Sequence, residues 1–122
     1  MKLHLTTADI SYHIQAYNQH SVTVNGRIYT HNLLIMPNHL AQWQIESFEC
    51  LQEQDFENLL QWKPELILLG TGLQSRFPDM SLFANVINQG IGVEVMNTQA
   101  ACRTYSLVAA EGRQVMAALF IN

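Results

Sequence analysis

Gly70-Thr71-Gly72 comes nearest, by residue type, to a ligand-binding loop in this chain. It follows Leu66-Ile67-Leu68-Leu69, an unbroken apolar run that suits a strand buried on both faces. In open α/β sheets, ligands bind beyond the carboxyl ends of such strands. Glycines there let backbone N–H groups approach an anion. The standard nucleotide loops are not matched. A dinucleotide fingerprint needs G-x-G-x-x-G, and Ser75 stands at the last glycine position; the P-loop's G-K-[ST] is missing too. Two readings fit what is left: a tight turn that needs positive φ, and a pocket for a small anionic ligand.

Asn97-Thr98 opens a helix directly after another strand. Helix N-termini attract anions, and simple capping explains the same residues. If the strands at Leu66 and Ile91 are parallel neighbours, Gly72 and Thr98 come close together, which strengthens the pocket reading. Glu94 lies opposite Val93 and Val95 on its strand. Burial would raise its pKa and suit it to acid–base work; the structural alternative is an ion pair with Arg103 or Arg113. Arg103 and Ser106 share an outer helix face that is either a pocket rim, a partner surface or solvated. Tyr105 reads as a core residue with a hydrogen-bonded hydroxyl. Cys102 precedes Arg103, whose charge favours a thiolate, but no histidine stands near it in sequence. His4, His13, His20, His31 and His39 lack metal-ligand spacing, though His13 and His31 on strands could face each other. There is no G-x-S-x-G elbow. No cofactor is implied.

The surrounding pattern supplies the elements. Ile10, Tyr12, Ile14 and Ala16 alternate with polar residues as in a half-buried strand. Asn25-Gly26 between Val22-Thr23-Val24 and Arg27-Ile28-Tyr29 predicts a type I′ hairpin. Its second arm runs on to Leu33-Leu34-Ile35-Met36 and stops at Pro37, with a further strand over Trp43 to Phe48. Glu53, Asp55 and Glu57 mark a helix start; Phe56, Leu59 and Leu60 are its buried stripe, and Lys63-Pro64 ends it. After the Leu66 strand, Asp79 caps a helix that buries Leu82, Phe83, Val86 and Ile87, and Gly90 stops it. Ile91, Val93 and Val95 form the next strand. The last helix buries Ala101, Thr104, Tyr105 and Val108, and Glu111-Gly112-Arg113 leads to a final strand over Val115 to Ile121. Strands alternating with helices imply parallel pairing. The expected fold is therefore α/β, with a mixed sheet, helices on one face and a small antiparallel β layer on the other.

Composition bounds the function. The 122 residues suit one domain. Apolar residues make up 48% and charged residues 13%, so the chain is neither disordered nor a membrane-spanning type. The net charge is −4, and Lys2, Arg27, Lys63, Arg76, Arg103 and Arg113 are spread thinly, which argues against nucleic acid. No apolar run nears the ~20 residues of a membrane span, and residues 1–9 do not read as a signal peptide. A cytoplasmic location follows, with Cys50 and Cys102 as free thiols.

The carboxyl-terminal half carries a resemblance. Pro64 to Gly72, Gly90 to Met96 with Thr98, Ala101-Cys102-Arg103-Thr104-Tyr105, Ala110 to Arg113 and Ala117-Ala118-Leu119 stand in an order and spacing that closely resemble the Mth-domain family. Val22 to Gly26, Tyr29, Leu34 to Pro37 and Trp43 extend the similarity, so it covers about Tyr12 to Leu119. The family comprises small proteins of unknown function and includes the mitochondrial NADH:ubiquinone oxidoreductase complex assembly factor three. The resemblance implies a three-layer (β+β/α) fold with a mixed five-stranded sheet. It implies no assigned activity. Ser106 stands where the family usually has Asn. The sequence thus points first to a non-catalytic binding or assembly module with protein partners, as a monomer or small homo-oligomer. The alternative is a small-anion-binding protein or enzyme using Gly70, Thr71, Gly72, Glu94, Thr98 and Arg103.

Overall fold

The computed structural model describes residues 10–121. The signal-peptide expectation for residues 1–9, and His4, lie outside them.

A small antiparallel sheet comes first, built from β1 (Ile14–Tyr17), β2 (Val22–Val24) and β3 (Arg27–Tyr29) in that order. Asn25 and Gly26 have φ of 50° and 82°, and Val24 pairs with Arg27, as the Asn-Gly signal requires. The register of β1 shifts between Ile14 and Ala16. This bulge breaks the expected alternation: Tyr17 turns toward the core and Ala16 is exposed.

The central sheet has the order β5-β4-β8-β6-β7, where β4 is Leu33–Met36, β5 His39–Gln42, β6 Leu66–Gly70, β7 Gly92–Met96 and β8 Val115–Leu119. β6 runs parallel to both β7 and β8; β4 runs antiparallel to β5 and β8. Two expectations change here. The first hairpin ends at Tyr29, and β4 belongs to the other sheet. The strand expected over Trp43 to Phe48 lies instead at His39–Gln42. Pro37-Asn38 makes a two-residue turn with Met36 opposite His39, because proline presets the φ of a turn.

Three helices connect the strands: α1 (Glu53–Glu57), α2 (Ala84–Asn88) and α3 (Thr98–Ala110). In α1 the Gln52 N–H donates to Asp55 Oδ2 at 2.8 Å, and a 3₁₀ stretch (Asn58–Trp62) runs on to Lys63 at φ 54°. Asp79 accepts from the Ser81 N–H at 3.0 Å and caps a 3₁₀ turn (Met80–Phe83) ahead of α2. That tighter turn shifts the helical phase. Phe83 and Val86 are buried, but Ile87, expected inside, is 47% exposed.

The core has two halves. Leu66, Leu68, Val115, Ala117 and Leu119 face α3 and β2; Ile67, Leu69, Met116 and Ala118 face α1 and α2. The long helix therefore shares a face with the small sheet, which corrects the expectation of all helices on one side. Crossover handedness explains it. The chain moves outward from β6 to β7 through α2, then back past β6 to β8 through α3. Right-handed crossovers in opposite directions place their helices on opposite faces.

Candidate functional site

Gly70 ends β6 under tight contact. A Cβ there would meet Leu119 Cδ2 at 2.9 Å and Thr98 Cα and Oγ1 at 3.1 Å. The strand end, the start of α3 and the end of β8 thus converge on one point. Hydrogen bonds join them. Phe120 N–H donates to Gly70 O at 2.8 Å, Thr71 N–H to Met96 O at 2.9 Å, and Thr98 N–H to Gly72 O at 2.9 Å. Gly72 has φ 97°, the positive value expected of a turn glycine. Its N–H donates to Thr98 Oγ1 at 2.8 Å, and that hydroxyl donates to Phe120 O at 2.7 Å. Parallel pairing of β6 with β7 brings Gly72 and Thr98 together, as the sequence suggested.

Thr71 is buried. Its Oγ1 lies 2.6 Å from Gln74 O as donor and accepts from the Arg76 N–H at 3.1 Å. Arg76 then anchors the following loop. It donates through Nη2 to Thr71 O at 3.2 Å, pairs through Nη1 with Glu49 Oε2 at 3.1 Å, and lies 4.2 Å above the Phe48 ring. Sequence reading missed this residue, because an isolated arginine in a loop carries no periodic signal. Asn32 was missed in the same way: it is buried, accepts from Ile121 N–H at 2.8 Å and donates to Ile45 O at 3.0 Å.

These bonds decide what the turn can do chemically. An anion cradle needs free N–H groups, and those of Thr71 and Gly72 are bound within the protein. At the helix start, Asn97 Oδ1 accepts from the Ala100 N–H at 2.8 Å. A cleft of about 450 Å³ does open beside the turn, between Gly72, Gln74 and Arg76 on one side and Gln19 and His20 on the other.

Two of the six candidate residues do not join the other four. Glu94 is exposed on the edge strand β7. It does not pair with either expected arginine: Arg113 meets Glu65 at 3.5 Å, and Arg103 donates to the Tyr17 hydroxyl at 3.2 Å. The reason is placement. Arg103 reaches Tyr17 of β1, and Arg113 reaches Glu65 just ahead of β6. Ser106 is exposed on the outer face of α3, as read.

Tyr105 is buried and its hydroxyl donates to Tyr12 O at 2.8 Å; burial pushes its pKa up. Burial also pushes the Cys102 thiol up to about 12, against the smaller opposing effect of Arg103. Cys102 and Cys50 are both free. Neither His13 nor His31 lies on a strand as expected: His13 precedes β1 and its ring meets Ile10 O at 3.1 Å, while His31 stands between β3 and β4 and its ring meets Asn32 O at 3.0 Å. Among the described residues no group of three or more His, Cys, Asp or Glu could hold a metal. No described helix is long and apolar enough to cross a membrane.

Comparison with known proteins places this architecture. Residues 14–120 match the family described as a protein of unknown function (DUF498/DUF598). The human NADH dehydrogenase [ubiquinone] 1 alpha subcomplex assembly factor 3 is 29% identical over 109 residues, which is 88% of this chain and 59% of that protein. This chain therefore spans about three-fifths of that relative's length. A protein from Xanthomonas campestris of known structure superposes with a TM-score of 0.82 at 35% identity, over 93% of this chain and 86% of that one. A Bordetella pertussis protein described as a Mth938-like domain gives 0.78 at 25% identity, over 89% and 85%. The expected resemblance is borne out, and the chain belongs to the DUF498/DUF598 family of proteins of unknown function.

Proposed function

We propose that this protein is a non-catalytic binding or assembly module that acts through protein partners in the cytoplasm. The likeness to an assembly factor over most of this chain carries the reading. The site geometry supports it, because the donors of the Gly70–Gly72 turn and of Thr98 hold the fold together instead of facing a ligand. Function then resides in the surface, and the turn is a structural junction. Affinity capture with the tagged full chain from its native organism is the test. A defined protein enriched across several growth states is expected; recovery of abundant background proteins alone overturns the reading.

A further inference from the structure

Strand β7 forms one edge of the central sheet. Gly92 N–H donates to Glu65 O at 3.3 Å, and Met96 O accepts from Thr71 N–H. In a parallel pair, alternate residues bond to the neighbouring strand. Gly92, Glu94 and Met96 therefore face β6, and Val93 and Val95 turn their N–H and C=O groups outward. Among the described residues nothing pairs with those four groups. Parallel sheets normally have their strands covered, and a regular edge with free backbone groups is a template for pairing. This edge carries no proline and no bulge.

The side chains say what kind of strand fits. Ile91, Val93 and Val95 are half-buried against the α1–α2 half of the core, so an added strand would extend that apolar surface. Glu94 projects to the other face, exposed and without an ion pair among the described residues. A second copy of this chain fits badly. The antiparallel register that satisfies all four backbone groups sets Val93 against Val95 and Glu94 against Glu94, and like charges directly opposite destabilise a pair.

We infer that the outer edge of β7 binds an extended segment of a partner protein that sets a Lys or Arg between two apolar residues, the basic side chain facing Glu94. This rests on the protein-partner reading above and names the surface it uses.

Amide hydrogen exchange of the full chain, read residue by residue by NMR, tests it. The probe is a capped peptide, Thr-Val-Lys-Val-Thr, at millimolar concentration, with Thr-Val-Glu-Val-Thr as the control. The Val93 and Val95 amides, fast in the free protein, should slow by about tenfold or more with the Lys peptide and not with the Glu peptide. E94K should reverse that preference. V95P removes an outward N–H at the edge together with part of the Val95 packing, so it should abolish the slowing at Val93 while the amides of β6 stay protected, even where the thermal midpoint falls. Unchanged exchange at Val93 and Val95, or slowing that rises with protein concentration without peptide, overturns the inference. A natural partner that binds V95P as well as wild type also removes the edge, yet leaves the assembly-module reading standing.

Discussion

Thr98 Oγ1 accepts the Gly72 N–H at 2.8 Å and donates to Phe120 O at 2.7 Å, so one buried hydroxyl ties the end of β6 to the end of β8 through the first residue of α3. Thr98→Val keeps the shape and strands both partners. The expected cost is about 1–3 kcal/mol, from one buried carbonyl and one half-buried N–H left unsatisfied. Thr98→Ser keeps the hydroxyl and should cost less than about 1 kcal/mol. Urea unfolding of the three proteins checks this, and equal midpoints for Val and Ser would refute it.

Gly70→Ala tests the close approach at the same junction. The added methyl would sit 2.9 Å from Leu119 Cδ2 and 3.1 Å from Thr98 backbone. Overpacking of this kind costs about 1–3 kcal/mol. The thermal midpoint should fall by several degrees. An unchanged midpoint would mean that the Leu119 side chain and α3 yield freely.

The buried Cys102 and Tyr105 give stability a pH dependence at high pH. Both hold their protons in the fold beyond the pH at which the unfolded chain releases them. The unfolded state then binds fewer protons, so stability falls as pH rises. For Cys102 the loss begins near its ordinary value of 9.0 and continues to about 12. Cys102→Ala should flatten the decline across that window in a series of denaturant curves. At pH 8 a thiol reagent should label exposed Cys50 quickly and Cys102 only on unfolding.

Small anions should not stabilise the protein through the Gly70–Gly72 turn. Its N–H groups are already bound. A thermal-shift series with phosphate, nucleotides and small carboxylates at millimolar concentration should move the midpoint by less than about 1 °C, since a ligand stabilises only in proportion to its occupancy of the native state. A rise of several degrees that is lost in T98V would restore the pocket reading.

Local chemistry was legible wherever one residue type determines one geometry. Asn25-Gly26 specified its turn, Asp79 its cap, Asn97-Thr98 a capped helix start whose cap the structure assigns to Asn97, and Leu66 to Leu69 a buried strand. The convergence of Gly72 and Thr98 was legible as well, because parallel pairing of consecutive β-α-β strands follows from their alternation. Phase was read correctly for Phe56, Leu59, Ala101 and Tyr105 and failed where an irregular turn or bulge intervened. The bulge in β1 turned Ala16 outward, and the 3₁₀ turn before α2 exposed Ile87.

By itself the sequence determined the α/β class, most elements, the family and the meeting of the Gly72 turn with the helix at Thr98, since periodicity and turn chemistry are local properties. Tertiary structure alone decided what that meeting does. Whether a backbone N–H faces a ligand or a carbonyl depends on strands distant in sequence, and here Met96 O and Thr98 Oγ1 occupy the donors of Thr71 and Gly72. It also decided the fate of Glu94. Strand order places β7 at the sheet edge and turns Arg103 toward β1, so a residue that looked like half of an ion pair stands exposed.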